Sequence, residues 1–290
     1  MKVPVKVDGR ELTLSNLDKV LYPDNGFTKA EIIDYYSRVA PVLLPHLRGR
    51  PLTVKRYPNG VTGQSFFEKN APEHTPDWVR RVNLPAPGST KNRETIDFAV
   101  VDDLPTLVYY ANLAALELHV PQWRVDDDGQ ALPPDTLVFD LDPGPPATIV
   151  ECTRVALMLR EVLGAEGLTT LPKTSGSKGM QLYADWDRRE EPSAYAKRLA
   201  QLLEKEHPDQ VVSVMTKKAR PGKVFIDWSQ NNPAKTTVAP YSLRAREQPT
   251  VSTPLTWEEV EGCEHPEDLV FTAPDVLARV EKHGDLFSRA

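Results

Sequence analysis

The chain has 290 residues, 40% of them hydrophobic, and a net charge of −6 from 35 Lys and Arg against 41 Asp and Glu. That length allows one large domain or two intimate ones with a real core, and the acidic balance excludes nucleic-acid binding by bulk charge, so any such binding must use a local basic patch. Cys152 and Cys263 have no metal-ligand spacing and make no disulfide framework, which points to a reduced, cytoplasmic chain; no signal peptide is legible and no apolar run reaches membrane length.

In chain order, "TKAEIIDYYSRVAPVLLPHLRG" opens with a capping box, Thr28 and Glu31, and Ile32, Ile33, Tyr36, Val39 and Leu43 follow at helical spacing. The spacing predicts a helix from Lys29. "PLTVKRYP" and "GQSFFEKN" read as strands, and "DDLPTLVYYANLAALELHVPQW" reads as a helix from about Asp103 running into a strand with His119. After the strand around "FDLD" comes the helix "ATIVECTRVALMLREVLGAEG", ended by Gly164 or Gly167. "TTLPKTSGSKGMQLYADW" reads as strand, Gly-rich turn, strand; "SAYAKRLAQLLEKEH" as an amphipathic helix; and "VVSVMTKKARPGKVFIDWS" as a hairpin with a basic tip. The last forty residues hold Pro-marked turns and one short helix, "APDVLARVEKH". This order predicts an α+β fold with two sheet-rich lobes flanked by helices.

"TLVFDLDPG", residues 136–144, sets two carboxylates inside an apolar run. Buried carboxylates need partners. On a strand Asp140 and Asp142 point the same way, about 6 to 7 Å apart, while Phe139 and Leu141 enter the opposite layer. Such a pair can hold one or two divalent ions; taken alone, it equally suits a strand end whose aspartates cap turns or pair with Arg. In "KVFIDWSQN" Phe225 and Asp227 share a face opposite Val224, Ile226 and Trp228. As a third carboxylate Asp227 would complete the oxygen-rich shell that Mg²⁺ or Mn²⁺ prefers when phosphates and water supply the other ligands.

"KTSGSKGMQLY" offers two glycines, two serines and Lys178 between strands, a nest for a phosphate or an ordinary hairpin turn. It is not a Walker A loop, because the spacing differs and a strand follows. Lys217, Lys218, Arg220 and Lys223, with Lys55, Arg56, Arg244 and Arg246, supply cations for a polyphosphate in an otherwise acidic chain. Phe66 and Phe67, adjacent on a strand, face opposite ways, so one of them is free to meet a ligand.

"LSNLDKVLYP", "KRYPNG", "FFEK", "LELHVPQW", "LVFDLDPG", "TSGSKG", "KVFIDWSQN" and "KTTVAPYSLR" together resemble the primase-polymerase domain of bacterial ligase D, in the archaeo-eukaryotic primase superfamily. The resemblance implies a single primase-polymerase domain over residues 1–290. Residues to about 130 would make the 5′-phosphate and template contacts, and the rest would carry catalysis. It implies template-directed nucleotidyl transfer in DNA repair, with ribonucleotides preferred and two Mn²⁺ or Mg²⁺ ions held by Asp140, Asp142 and Asp227. Lys55, His119, Ser175, Lys178, Gln230 and Arg244 match nucleotide-contacting positions. Asn16, Lys19 and Lys29 match those that receive the 5′-phosphate across a gap or break. Phe66 or Phe67 would stack on the template, and the basic segment with Lys217 and Arg220 resembles a loop that helps DNA ends meet. A DNA ligase and a DNA-end-binding protein are the implied partners, at the bacterial nucleoid.

Two features depart from the resemblance. Gln181 stands where the family typically has His, in "KGMQLY" rather than "KGLHLY", a variant similar to stand-alone members linked to short-gap filling in excision repair. The 290 residues leave no room for ligase or nuclease modules; Met1 and the short tail lean the expectation toward a stand-alone member over an excised domain, with end joining as the competing pathway. Two other classes stand as alternatives. A D-x-D glycosyltransferase should open with a G-x-G nucleotide-binding unit, which is missing from the sequence, and a non-catalytic DNA-end binder would not need Asp142.

Overall fold

A computed structural model describes residues 2–86 and 94–288. The chain opens with the hairpin β1 (Lys2–Val7) and β2 (Arg10–Ser15), then β3 (Val20–Tyr22) and β4 (Phe27–Thr28), which lead into α1 (Lys29–Leu47). Helix α1 starts where the capping box sets it: Thr28 Oγ1 accepts the Glu31 N–H and Glu31 Oε2 accepts the Thr28 N–H. Next come β5 (Thr53–Arg56), β6 (Phe66–Glu68), β7 (Arg81–Pro85), β8 (Thr95–Ala99), α2 (Leu104–Asn112) capped by Asp103, and β9 (Ala115–Val120). After β10 (Thr136–Pro143) follow α3 (Ile149–Ala165), β11 (Thr170–Thr174), β12 (Met180–Asp185), α4 (Pro192–Glu206), β13 (Val211–Val212), β14 (Val224–Asp227), β15 (Thr237–Val238), α5 (Trp257–Glu261) and α6 (Ala273–His283).

Two sheets organise these elements, one of five strands in the order β11-β12-β10-β14-β13 and one of four in the order β15-β9-β5-β6. The expected α+β class holds. Strand β10 is the middle of the larger sheet, and its alternation is as read: Leu137, Phe139 and Leu141 pack into one core with Cys152, Val155 and Leu159 of α3 and Leu199 and Leu203 of α4. Each such side chain contributes about 1.5–3 kcal/mol by burial. Val138, on the other face, joins a second core built on α1, α2 and the smaller sheet. Helix α3 runs through Gly164, and the left-handed residue that ends its last turn is Gly167 (φ 80°), where Leu168 N–H closes back onto Leu163 O.

The expected basic hairpin is absent. Val211 and Val212 pair with Val224 and Phe225 in parallel, and the intervening segment makes a 3-10 turn, Lys217–Ala219, before crossing back. Its return is held by the end of β10: Gly222 N–H donates to Gly144 O (2.9 Å) and Gly144 N–H donates to Lys223 O (2.8 Å). Gly144 is needed there, because a Cβ would stand 2.0 Å from Arg220 O. Among the described residues, the final forty hold two α-helices rather than one; α5 has only five residues, below the length at which periodicity shows, and is marked by its capping box, Thr256 and Glu259.

Candidate active site

The ladder of the larger sheet assembles the carboxylates. Asp140 stands opposite Gln181 of β12 on one side and opposite Asp227 of β14 on the other, and Asp142 stands opposite Phe225. Cross-strand partners share a face, so Asp140, Asp142, Asp227 and Gln181 project together, and so does Lys173, opposite Gln181 on β11. Burial, then the charge of Asp142, raises the Asp140 carboxyl to about 7, against the lowering hydrogen bond from Gln181 Nε2 at 3.0 Å. Asp142, at the open end of the strand, is raised by desolvation in the site and by Asp227, with the Arg220 charge opposing. Asp227 is braced: Oδ1 accepts Ser229 N–H (3.1 Å) and the Ser229 hydroxyl, and Oδ2 accepts Gln230 Nε2 at 2.8 Å. Gln230, expected at the nucleotide, thus orients the third carboxylate.

Among the described residues no three His, Cys, Asp or Glu side chains close into a metal cage. The donor set nevertheless fits a hard divalent cation: it is carboxylate oxygen throughout, its charges raise one another despite Arg220 and Lys173 nearby, and Asp142 is open to solvent, where phosphate and water could complete the shell. A carboxylate has about four lone-pair directions, so Asp227 keeps capacity beyond its three hydrogen bonds.

The smaller sheet provides cations and a ring. Register places Thr53, Lys55, Phe67, Glu117 and His119 on one face. Phe67, 59% exposed, meets the His119 ring edge-on at 5.7 Å, and Lys55 Nζ stands 5.4 Å from the Phe67 centroid. Buried Glu117 ties this group to the next: Oε2 lies 3.1 Å from His119 Nε2, and Oε1 accepts Ala245 N–H (3.1 Å) and lies 3.4 Å from Arg244 Nε. Burial would raise Glu117, yet His119 and Arg244 hold it at about 2; burial in turn lowers His119, against Glu117. Arg244 Nη1 donates to Ser175 O at 2.7 Å, joining the smaller sheet to the loop between β11 and β12.

In that loop Ser175 Oγ accepts the N–H groups of Ser177 and Gly179, both at 3.3 Å, so its hydroxyl shapes the turn. Lys178 is exposed on the loop, Arg246 donates to Ser177 Oγ, and a cavity of about 540 Å³ opens between Lys178, Arg246 and Thr62. Gly179 packs against β10, where a Cβ would meet Leu141 O at 2.0 Å. Contacts through Phe67 and Glu117 thus link Lys55, His119, Arg244 and Ser175, while Lys178 stands exposed on the same loop as Ser175. Arg220 joins the carboxylates: its guanidinium lies 3.8 Å over the Phe225 ring and its charge reaches Asp142, whereas Lys217 stays exposed on the crossover.

Asn16, Lys19 and Lys29 form a separate cluster. Lys29 N–H donates to Lys19 O (2.9 Å), Lys19 N–H donates to Asn16 O (3.1 Å), and Asn16 turns the chain at φ 53°. Lys19 Nζ donates to Asn59 Oδ1 at 3.1 Å and Lys29 Nζ donates to Ser15 O at 2.6 Å. Burial, then the charges of Lys19 and Arg56, lowers Lys29 to about 8. Arg56 is opposite Phe66, as Lys55 is opposite Phe67. The two exposed rings therefore lie on opposite faces of the strand, Phe67 on the face of Lys55 and Phe66 on that of Arg56.

Sequence reading missed Lys173 and Glu117, both buried charges in the site. The alternation in "LELH", which sets Glu117 beside His119, was the available signal for one; nothing in the local pattern marked the other.

Strand-borne carboxylates, a glycine turn and converging cations define a nucleotidyltransferase of the primase kind. The sequence model of the LigD primase-polymerase domain matches residues 28–287. The multifunctional non-homologous end joining protein LigD of Mycolicibacterium smegmatis is 45% identical over 278 residues, 95% of this chain and 35% of the relative. The bifunctional LigD of Bacillus subtilis is 34% identical over 94% of this chain and 43% of its own length. The polymerase domain of Mycobacterium tuberculosis ligase D, solved in complex with DNA, superposes with a TM-score of 0.88 at 44% identity, covering 95% of this chain and 96% of that one. The chain belongs to the LigD primase-polymerase domain family, and it spans under half the length of these end-joining relatives.

Proposed function

We propose that this chain adds nucleotides, ribonucleotides by preference, to a primer 3′-hydroxyl at short gaps carrying a downstream 5′-phosphate. The observation that carries the reading is the register that sets Asp140 opposite Asp227 with Asp142 two residues along the same face. When bound, two divalent cations, Mn²⁺ by preference, would acidify the 3′-hydroxyl and offset the triphosphate charge. Asp140 and Asp142 would hold both, and Asp227, braced by Ser229 and Gln230, the one serving the primer. Lys178, Arg244 and the loop N–H groups would neutralise the triphosphate; Glu117 keeps Arg244 and His119 aimed, and Phe67 offers a stacking face beside Lys55.

Asn16, Lys19 and Lys29 would receive the 5′-phosphate, with Phe66 on the template and Lys217 and Arg220 on the DNA. Relatives named for end joining favour that pathway here, acting at the nucleoid with a ligase to seal the product and a protein to hold the ends. Purified protein with Mn²⁺ and ribonucleotides should extend a primer across a gap with a downstream 5′-phosphate; no extension would refute the reading. Extension on one-nucleotide gaps but not on paired 3′-overhangs would move it to excision repair.

A further inference from the structure

Lys173 is fully buried, and the reaction just proposed gives it no role. Its Nζ lies 2.6 Å from Gln181 Oε1 and 2.6 Å from Ser252 Oγ. Ser252 commits its own proton to Thr174 O at 2.8 Å, so its oxygen accepts from Lys173, and the amine turns another N–H to Gln181. Beyond Gln181 stands Asp140, whose Oδ1 lies 3.0 Å from Nε2. The two ends of this amide are therefore not interchangeable: an amine donor faces one and a carboxylate, which has only lone pairs when ionised, faces the other. Tyr183 closes the side of the chain, with its hydroxyl 3.3 Å from Oε1 and its ring 5.5 Å from Lys173 Nζ. Burial lowers Lys173 well below an ordinary lysine, with the Asp140 charge opposing; an amine that gives up one proton still has two N–H groups for these two acceptors.

We infer that Lys173 is a positioning residue for Asp140, acting through Gln181: it locks the amide so that one carboxylate oxygen is held by an N–H and the other is presented to a cation. The inference rests on the reading of Asp140 as a metal carboxylate. It concerns residues that sit behind the carboxylates, where partners of this kind are typically worth about ten- to a hundredfold in metal affinity.

The test is Mn²⁺ binding to the purified chain, followed by the paramagnetic resonance of free Mn²⁺, with thermal unfolding run in parallel. Lys173→Met, matched in length, should raise the half-saturating Mn²⁺ concentration about tenfold and leave the nucleotide KM near wild type once Mn²⁺ is saturating. Wild-type Mn²⁺ binding by the folded variant would overturn the inference. Gln181→Leu should raise half-saturation to a similar extent, and the double variant should be no worse than Gln181→Leu alone; additive losses would refute action through the amide. Should Lys173→Met fail to fold, Gln181→Leu decides, since unchanged binding there removes the relay. Asp142→Ala separates the two levels: wild type that binds Mn²⁺ no better than Asp142→Ala defeats the metal reading itself and the inference with it.

Discussion

The two faces of β10 obey opposite energetics. On one, Leu137, Phe139 and Leu141 are buried against α3 and α4, each contributing about 1.5–3 kcal/mol. On the other, Asp140 faces Asp227 across the ladder, an arrangement that destabilises a sheet, and both β10 carboxyls are pushed up from their ordinary range. Consecutive residues of one strand therefore divide the work. Leu137, Phe139 and Leu141 hold the sheet against the helices, and the carboxylates on the other face weaken it.

Substitutions at neighbouring positions should part the two roles. The largest effect belongs to Asp142→Ala, which should lower primer extension by roughly a thousandfold or more while the unfolding temperature stays level or rises; retention of about a tenth of the activity would break the division. Leu141→Ala, one residue away, should cost about 2–5 kcal/mol in denaturant unfolding, with activity per folded molecule much less affected than in Asp142→Ala; a loss of activity without loss of stability would contradict it. Lys19→Ala should weaken binding to 5′-phosphorylated gaps by about tenfold relative to gaps ending in hydroxyl, a difference of about 1.4 kcal/mol. Equal losses on both substrates would detach the N-terminal cluster from the phosphate.

A paired carboxylate provides the smallest and most contrasting case. Burial would raise Asp285, but the hydrogen bond and charge of His46 at 2.9 Å and the Tyr241 hydroxyl at 2.7 Å hold it below the ordinary aspartate range. Its folded value being depressed, its contribution to stability is present above the unfolded aspartate value of about 3.9 and fades as pH falls through the folded one. Asp285→Asn should therefore lower the unfolding temperature at pH 7, and the two melting curves should converge as pH falls below the ordinary aspartate range. A gap that widens in acid would reverse the sign.

What could be read in the sequence follows from how local each signal is. The alternation that set Asp140 and Asp142 on one face, and Asp227 with Phe225, needs only residue types at a period of two. The start of α1 needs only Thr28 and Glu31. Strand direction is not written in such a pattern, so the apolar runs around Val211 and Val224 suited a hairpin as well as the parallel pair they form. Lys217 and Arg220 looked like one basic cluster, and the 3-10 turn parts them, leaving one in solvent and one against Phe225. Lys173 stays hidden because a buried charge looks like a surface charge until the cross-strand register is known, whereas Glu117 is marked only by its alternation with His119. The family resemblance puts Gln230 at the nucleotide, and the turn after β14 aims its amide at Asp227.

Gly144 and Gly179 bracket the tip of β10 so closely that a methyl group on either would collide with a carbonyl oxygen, of Arg220 or of Leu141. For protein engineering this separates fixed positions from adjustable ones. A library meant to retune nucleotide choice should leave both glycines alone and spend its diversity at exposed Lys178 and Phe67, where side chains can be exchanged without reshaping the strand end beneath them.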